Sequence, residues 1–373
     1  MSICNRCARR FATQSSTTSR RAFSQTSTQQ KHHGLPVFQE SSNAELQDTL
    51  MSLRSKHIIP AYLPPTQKHL IFGTKNRQLL ADNPRTYPIG QEEIPLLWID
   101  RRTEIPNRTK TFNTAIELMS KGDGKEWANL PSLLSGMKSC GAKLPGGVMG
   151  KVVRKVANGG RLGVVIQCLQ QVEHTGLTLR DEDVLANVMW ALHNLAQQDN
   201  WSEEATTKAM KWAGEVAVLL ETSEHGSGKA RRRDDARMRA EVIGVFLELS
   251  AVRAYKYQDG KDADGKVKMY AERLLACIGD QAQPPSQSPR TQGPQTEMLN
   301  GTPIYHGLLL AEKVLGTEMP QHEQSRRIRE DYEAGLTILA EAIEAQTPKE
   351  GSYGAQALTV WRELIRVREA IDV

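Results

Sequence analysis

The 373-residue chain has no acidic residue before Glu40 and no apolar stretch approaching the roughly 20 residues that a membrane-spanning helix requires. Membrane attachment, if any, is therefore expected to be peripheral. Cysteine is scarce: five residues at 4, 7, 140, 168 and 277, of which only Cys4-x-x-Cys7 is closely spaced. One such pair is half a metal site, and no disulfide framework is implied. The nine His residues show no His-Glu-x-x-His or other metal spacing, and no Gly-x-Ser-x-Gly elbow is present. Gly146-Gly147-Val148-Met149-Gly150-Lys151-Val152 comes near a phosphate-binding loop, but it is one residue short before Gly-Lys and has Val where Ser or Thr would hold the metal ion. No enzymatic activity, cofactor or metal is expected.

What the first segment does contain is Arg6, Arg9, Arg10, Arg20 and Arg21 among many Ser, Thr and Gln. This is the composition of a mitochondrial transit peptide. Arg21-Ala22-Phe23-Ser24-Gln25-Thr26 resembles the Arg-x-Phe-x-x-Ser/Thr signature of presequences trimmed in two steps. Residues 1–30 are read as the presequence, with trimming near Gln30 or after Phe23 and the matrix as destination. These five Arg match the formal net charge of +5, so the mature chain is near neutral and the pI of 8.9 says nothing about its partners.

The distribution of charge says more. Residues 54–180 hold 19 Lys/Arg against 9 Asp/Glu, whereas residues 181–373 hold 23 against 31. Between Glu126 and Glu173 there is no carboxylate, and Lys138, Lys143, Lys151, Arg154, Lys155 and Arg161 all fall there. These six are the candidate RNA-binding residues, since a basic lobe of this kind suits phosphate contact.

Residues 31–108 carry prolines at 36, 60, 64, 65, 84, 88, 95 and 106 and, from Arg54 on, no sustained helical period, which predicts an extended, basic, Pro-rich strap anchored by short apolar pieces such as Leu70-Ile71-Phe72 and Ile94 to Ile99. From residue 109 the periodicity is helical: Val184, Leu185, Val188, Met189, Leu192 and Leu195 mark one buried face, and Ile328, Tyr332, Leu336, Leu339 and Ile343 another. The fold class is all-α, with helical hairpins over 109–221 and a C-terminal helical region over 241–373. Residues 222–240, with Arg231 to Arg233, read as a basic flexible loop. The Gln-, Pro- and Ser-rich stretch near 280–300 reads as a disordered insertion.

An internal period sharpens the fold reading. Met137 to Leu144 and Val172 to Leu179 align with their glycines, Gly141 and Gly176, 35 residues apart, each placed where a helix ends in a positive-φ residue. Between them Ala157-Asn158-Gly159-Gly160-Arg161-Leu162 makes a tight turn. A helix, a Gly-Arg-Leu turn, a second helix and a Gly-bearing linker in about 35 residues resembles the pentatricopeptide repeat, best over 147–181 and less well from Phe112 to Pro145. In that family one residue early in the first helix and one at the repeat's end select a base. The corresponding places hold Asn113 with Leu144 or Pro145, and Gly150 with Arg180 or Asp181, and only Asn113 is a usual reader. Base-specific reading is not implied. On the helix near 148–158, Lys151, Arg154 and Lys155 lie opposite Val148, Val152 and Val156, a face suited to sequence-independent phosphate contact.

Transit peptide, helical hairpins, tethering strap and missing catalytic constellation together resemble, by type, the ribosomal proteins of fungal mitochondria. The resemblance implies a structural or accessory component that contacts mitochondrial rRNA and neighbouring ribosomal proteins. Two other readings fit the same residues: a free pentatricopeptide-type factor acting on mitochondrial mRNA, and an assembly factor or accessory subunit of a respiratory complex.

Overall fold

Short polar side chains write the helix starts. Asn43 accepts from the Leu46 N–H, Asn107 from Lys110, Asp181 from Asp183 and Val184, and Ser202 from Ala205, each satisfying donors that the first turn leaves unpaired. The computed structural model describes residues 34–144, 146–228, 235–279 and 293–371. The presequence with Cys4 and Cys7, and Arg231 to Arg233, lie outside the described residues.

Sixteen labels suffice for its helices. The N-terminal part holds α1 (Ala44–Leu53), α2 (Ile59–Tyr62), α3 (Pro65–Phe72) and α4 (Arg77–Asp82), with a π-turn over Arg54–Ile58. Then come α5 (Arg108–Lys121), α6 (Leu130–Ser139), α7 (Gly146–Asn158), α8 (Leu162–Gln170), α9 (Val172–Thr175), α10 (Glu182–Gln197) and α11 (Glu203–Leu220). The C-terminal part holds α12 (Ala240–Tyr257), α13 (Lys266–Ile278), α14 (Pro294–Leu315), α15 (His322–Glu344) and α16 (Tyr353–Ile371).

The helices stack as hairpins. In one layer α5 neighbours α7, α7 packs along α10, α10 on α12, α12 on α14 and α14 on α16; in the other α6 meets α8 and α8 meets α11. Each hairpin buries its apolar stripe against the next, so one continuous core runs from Leu46 to Trp361. The predicted glycine turns are there: Gly141, Gly160 and Gly176 have φ of +67°, +71° and +74°. Glycine also sets helix spacing. A Cβ on Gly244 would lie 2.5 Å from Ile304 Cγ1, and one on Gly307 would lie 3.0 Å from the Glu248 backbone nitrogen, so α12 and α14 touch through residues without side chains.

The expected extended strap does not form. Residues 34–108 instead make α1 to α4 and a hairpin of β1 (Arg85–Ile89) and β2 (Glu92–Leu96), antiparallel with Arg85 opposite Leu96. Pro65, which reads as a helix breaker, stands in the first turn of α3, where the missing N–H has no helical partner to lose, and Pro60 follows directly on the π-turn in a helical run that is unbroken from Ala44 to Tyr62. Leu46, Leu50 and Leu53 of α1 pack on α5 and close that end of the main core. The remainder builds a second small core of Leu35, Ile58, Leu63, Ile71, Leu80, Ile89, Ile94, Leu96 and Ile99.

Two further expectations change. Both flanks of the expected flexible loop are fixed: His225 is buried, its Nδ1 accepting from the Leu179 N–H at 3.1 Å, and Asp235 and Arg237 form a buried ion pair at 2.7 Å. Of the expected disordered insertion, residues 280–292 lie outside the described residues, and from Pro294 the chain is helical, again with proline in the first turn.

Candidate nucleic-acid interface

The near-miss phosphate loop is part of a helix. Gly146 to Val152 lie in α7, and a Cβ on Gly150 would sit 2.9 Å from Asp183 Cβ and 3.0 Å from Asn187 Nδ2. Gly150 is there so that α7 and α10 can approach, which also removes it as a base reader. The other reader positions are similarly engaged. Asp181 caps α10, and Arg180 donates to the carbonyls of Ser223 and Gly226. Asn113 is exposed on α5, Leu144 is half-buried, and Pro145 lies outside the described residues.

The six candidate cations do not form one cluster. Val152, Val153 and Val156 are buried as the helical spacing requires, so Lys151, Arg154 and Lys155 do face away from the core. Yet Lys155 Nζ is 2.6 Å from Glu117 Oε2 on α5, and the Arg154 guanidinium lies 4.5 Å from the Tyr353 ring centroid on α16. Only Lys151 of the three is fully open to solvent. Lys138 Nζ donates to the carbonyls of Val172 (2.9 Å) and Glu173 (2.7 Å), tying its hairpin to the next. Lys143 and Arg161 are exposed before and after α7, roughly 20 Å apart at 1.5 Å per helical residue. Among the described residues the side chains of Lys143, Lys151 and Arg161 have no hydrogen-bond or ion-pair partner, so the array offers three spaced, exposed cations.

Sequence reasoning missed two constellations. In the N-terminal lobe the Arg77 guanidinium lies 5.1 Å from the Trp98 ring centroid and that of Arg101 lies 4.3 Å from Phe72. Leu70 to Phe72 and Ile94 to Ile99 read as anchors; their aromatic members were the available signal. In the core, Glu248 on α12 accepts from His193 Nδ1 on α10 at 2.6 Å and from His306 Nδ1 on α14 at 2.7 Å. Burial pushes its carboxyl up, but the two imidazoles outweigh that and hold it below the ordinary range. Nothing at this site opens to solvent, so its work is structural.

The three described cysteines, Cys140, Cys168 and Cys277, are free, and burial pushes Cys168 up to about 12. Among the described residues no group of His, Cys, Asp or Glu is arranged to hold a metal ion, and no helix is long and apolar enough to cross a membrane.

A stacked array of helical hairpins with solvent-facing cations and structural polar groups defines a helical scaffold. The model of the family described as mitochondrial ribosomal protein mS27 matches residues 21–363. Over 272 residues the chain is 31% identical to small ribosomal subunit protein mS27 of the fungus Neurospora crassa, an alignment covering 68% of each chain. The chain belongs to the mS27 family of mitochondrial ribosomal proteins. It is a mitochondrial, structural ribosomal component and not an enzyme.

Proposed function

We propose that the protein is built into the small subunit of the mitochondrial ribosome, in the matrix, where it contacts rRNA and neighbouring ribosomal proteins. The match over 21–363 supports the particle and the relative's name supports the subunit. The spaced, exposed cations Lys143, Lys151 and Arg161 support the RNA contact, with Lys138, Arg154 and Lys155 as flanking members that also hold the array together. Phosphate contact of this kind fixes position without reading sequence, which fits the structural engagement of Gly150, Arg180 and Asp181.

Sedimentation of a mitochondrial extract after a high-salt wash tests the proposal. The protein is expected to migrate with the small ribosomal subunit. A loose association abolished by RNase would instead mark a free RNA factor, and recovery in a membrane-complex fraction would mark a respiratory accessory subunit.

A further inference from the structure

From Thr49 to Ala81 the chain has no carboxylate, while Arg54, Lys56, Lys68, Lys75 and Arg77 all fall there. Folding neutralises two of these, since Arg54 pairs with Glu92 and Lys56 with Glu104, both at 2.5 Å. Of the others, Lys68 donates to the Ala61 carbonyl at 3.2 Å, whereas Lys75 and Arg77 follow Gly73 directly. Trp98 Nε1 donates to the Gly73 carbonyl at 3.0 Å and the Ile99 N–H to Ile71 at 2.9 Å, which seats the 98–102 segment against the end of α3. Arg77 then stacks on Trp98 and Arg101 on Phe72, on either side of Gly73, with exposed Lys75 and Arg102 beside them.

The manner in which these two arginines are held matters. Arg54, Arg239 and Arg329 each direct N–H groups at a carboxylate. Arg77 and Arg101 are held by ring faces, and among the described residues neither makes a hydrogen bond or ion pair. Stacking fixes the plane of the guanidinium and leaves its five donors free, so less side-chain freedom is lost when a phosphate is bound bidentately. The one carboxylate in the segment, Asp100, is turned into its own loop. It accepts from the Arg102 N–H and Thr103 Oγ1 at 2.9 Å each, hydrogen bonds that keep it below the ordinary range and charged. Within residues 98–102 Arg101 and Arg102 outnumber it, and Lys75 and Arg77 add charge from the other side of Gly73.

We propose that this lobe carries a second RNA-docking surface, in which the Arg77–Trp98 and Arg101–Phe72 stacks present pre-oriented guanidinium groups to the phosphate backbone, with Lys75 and Arg102 adding charge. The surface lies outside the helical array and deepens the reading of the protein as an rRNA-contacting component, on which it rests. RNA is favoured over an acidic protein segment because planar cations beside half-buried aromatic rings serve both phosphates and unstacked bases.

The test uses the full chain, its R77Q/R101Q variant and a charge-matched control, K261Q/K349Q, on the opposite half of the sequence. Binding to a fluorescein-labelled 20-nucleotide oligouridylate is measured against salt. Loss of two phosphate contacts should flatten the slope of log affinity on log salt by about 1.4 for a single strand and weaken binding, with the control unchanged. Neither arginine lies in either apolar core, and circular dichroism checks folding; R77K/R101K, which keeps charge but loses the fork, should weaken binding while retaining the slope. If R77Q/R101Q matches the control in slope and affinity, the surface is not an RNA site. A variant that binds oligouridylate normally but no longer sediments with the ribosomal subunit would make this a protein contact and overturn the RNA assignment. Failure of the parent chain to sediment with the subunit would overturn the ribosomal reading instead, leaving the oligonucleotide slopes to decide on the surface.

Discussion

Replacing Glu248 by Gln should destabilise the fold far more than its near-identical shape suggests. The hydrogen bonds link four helices. Gln197 Nε2 donates to Glu363 Oε2 at 2.9 Å, and the Gln197 Oε1 faces His193 Nε2 at 2.8 Å. His193 Nδ1 meets the Glu248 carboxylate at 2.6 Å. The His193 ring is fully buried between the Trp190 ring at 4.8 Å and the Trp201 ring at 5.4 Å. The Gln amide accepts from one imidazole, but its NH2 then confronts the N–H of the other, and the two imidazoles lose the carboxylate they share. Breaking a buried pair in this way costs about 3–5 kcal/mol. With an m-value of ~3 kcal/mol per molar urea, the unfolding midpoint falls by about 1–1.7 M. H193Q should be damaging as well, and the H193Q/E248Q double variant should lose less than the two single losses together, by about 0.5–3 kcal/mol.

Acid titration adds a second reading of the same site. Because the folded Glu248 carboxyl lies below the unfolded value near ~4.3, its stabilisation is fully present above that pH and is lost as pH falls through the lower folded value. The parent should lose this part of its stability on acidification, and E248Q should not have it to lose. An E248Q midpoint within about 0.3 M of the parent at neutral pH, with strict additivity in the double variant, would refute the charged-network reasoning.

Gly307→Ala should lower stability by about 1–3 kcal/mol through overpacking against the Glu248 backbone, although helix propensity alone favours Ala by about 1 kcal/mol. Gly214→Ala, in α11 with open space around it, should stabilise by about 1 kcal/mol, and a urea titration of both tells packing from propensity. Asp235→Asn should cost about 3–5 kcal/mol at neutral pH, because its buried carboxylate accepts from the Arg237 N–H, Nε and Nη2 at 2.7–2.9 Å. The Arg237 guanidinium, ahead of Ser227, holds the folded Asp235 carboxyl far below the ordinary range, so the gap between variant and parent should narrow as pH falls below about 3.9. Cys168, pushed up to about 12 and buried, should resist iodoacetamide at pH 8 in the native protein and react only on unfolding, as peptide mapping will show.

The helical array was legible because its signals are local. The faces Val184 to Leu195 and Ile328 to Ile343 are written at i, i+3, i+4 spacing, and Gly141 and Gly176 mark helix ends by a conformation that side chains resist. The N-terminal lobe was not, because a proline tells where a helix cannot continue and is silent on whether it begins there. Pro65 opens α3, and Pro294 opens α14 in a stretch whose composition alone reads as loop.

Charge was the least legible property, and for a related reason: a run of sequence shows which cations exist but not which carboxylates folding brings to them. The 126–173 stretch lacks acid of its own, yet Glu117 reaches Lys155 across 38 residues, and Asp183 enters from α10 beside Gly150. In the N-terminal lobe, likewise, Glu92 and Glu104 neutralise Arg54 and Lys56 across 38 and 48 residues. What survives folding as open positive charge is therefore a subset. It includes Lys143, Lys151 and Arg161 along the array and the ring-supported Arg77 and Arg101 on the lobe. Ring support distinguishes the second group physically, since a cation–π contact holds an arginine without consuming its donors whereas an ion pair engages one or two of the five. Of the two proposed surfaces, the lobe thus has the donors better fixed in place, and on the proposed reading losing them should affect RNA affinity per charge removed more than losing the solitary Lys151.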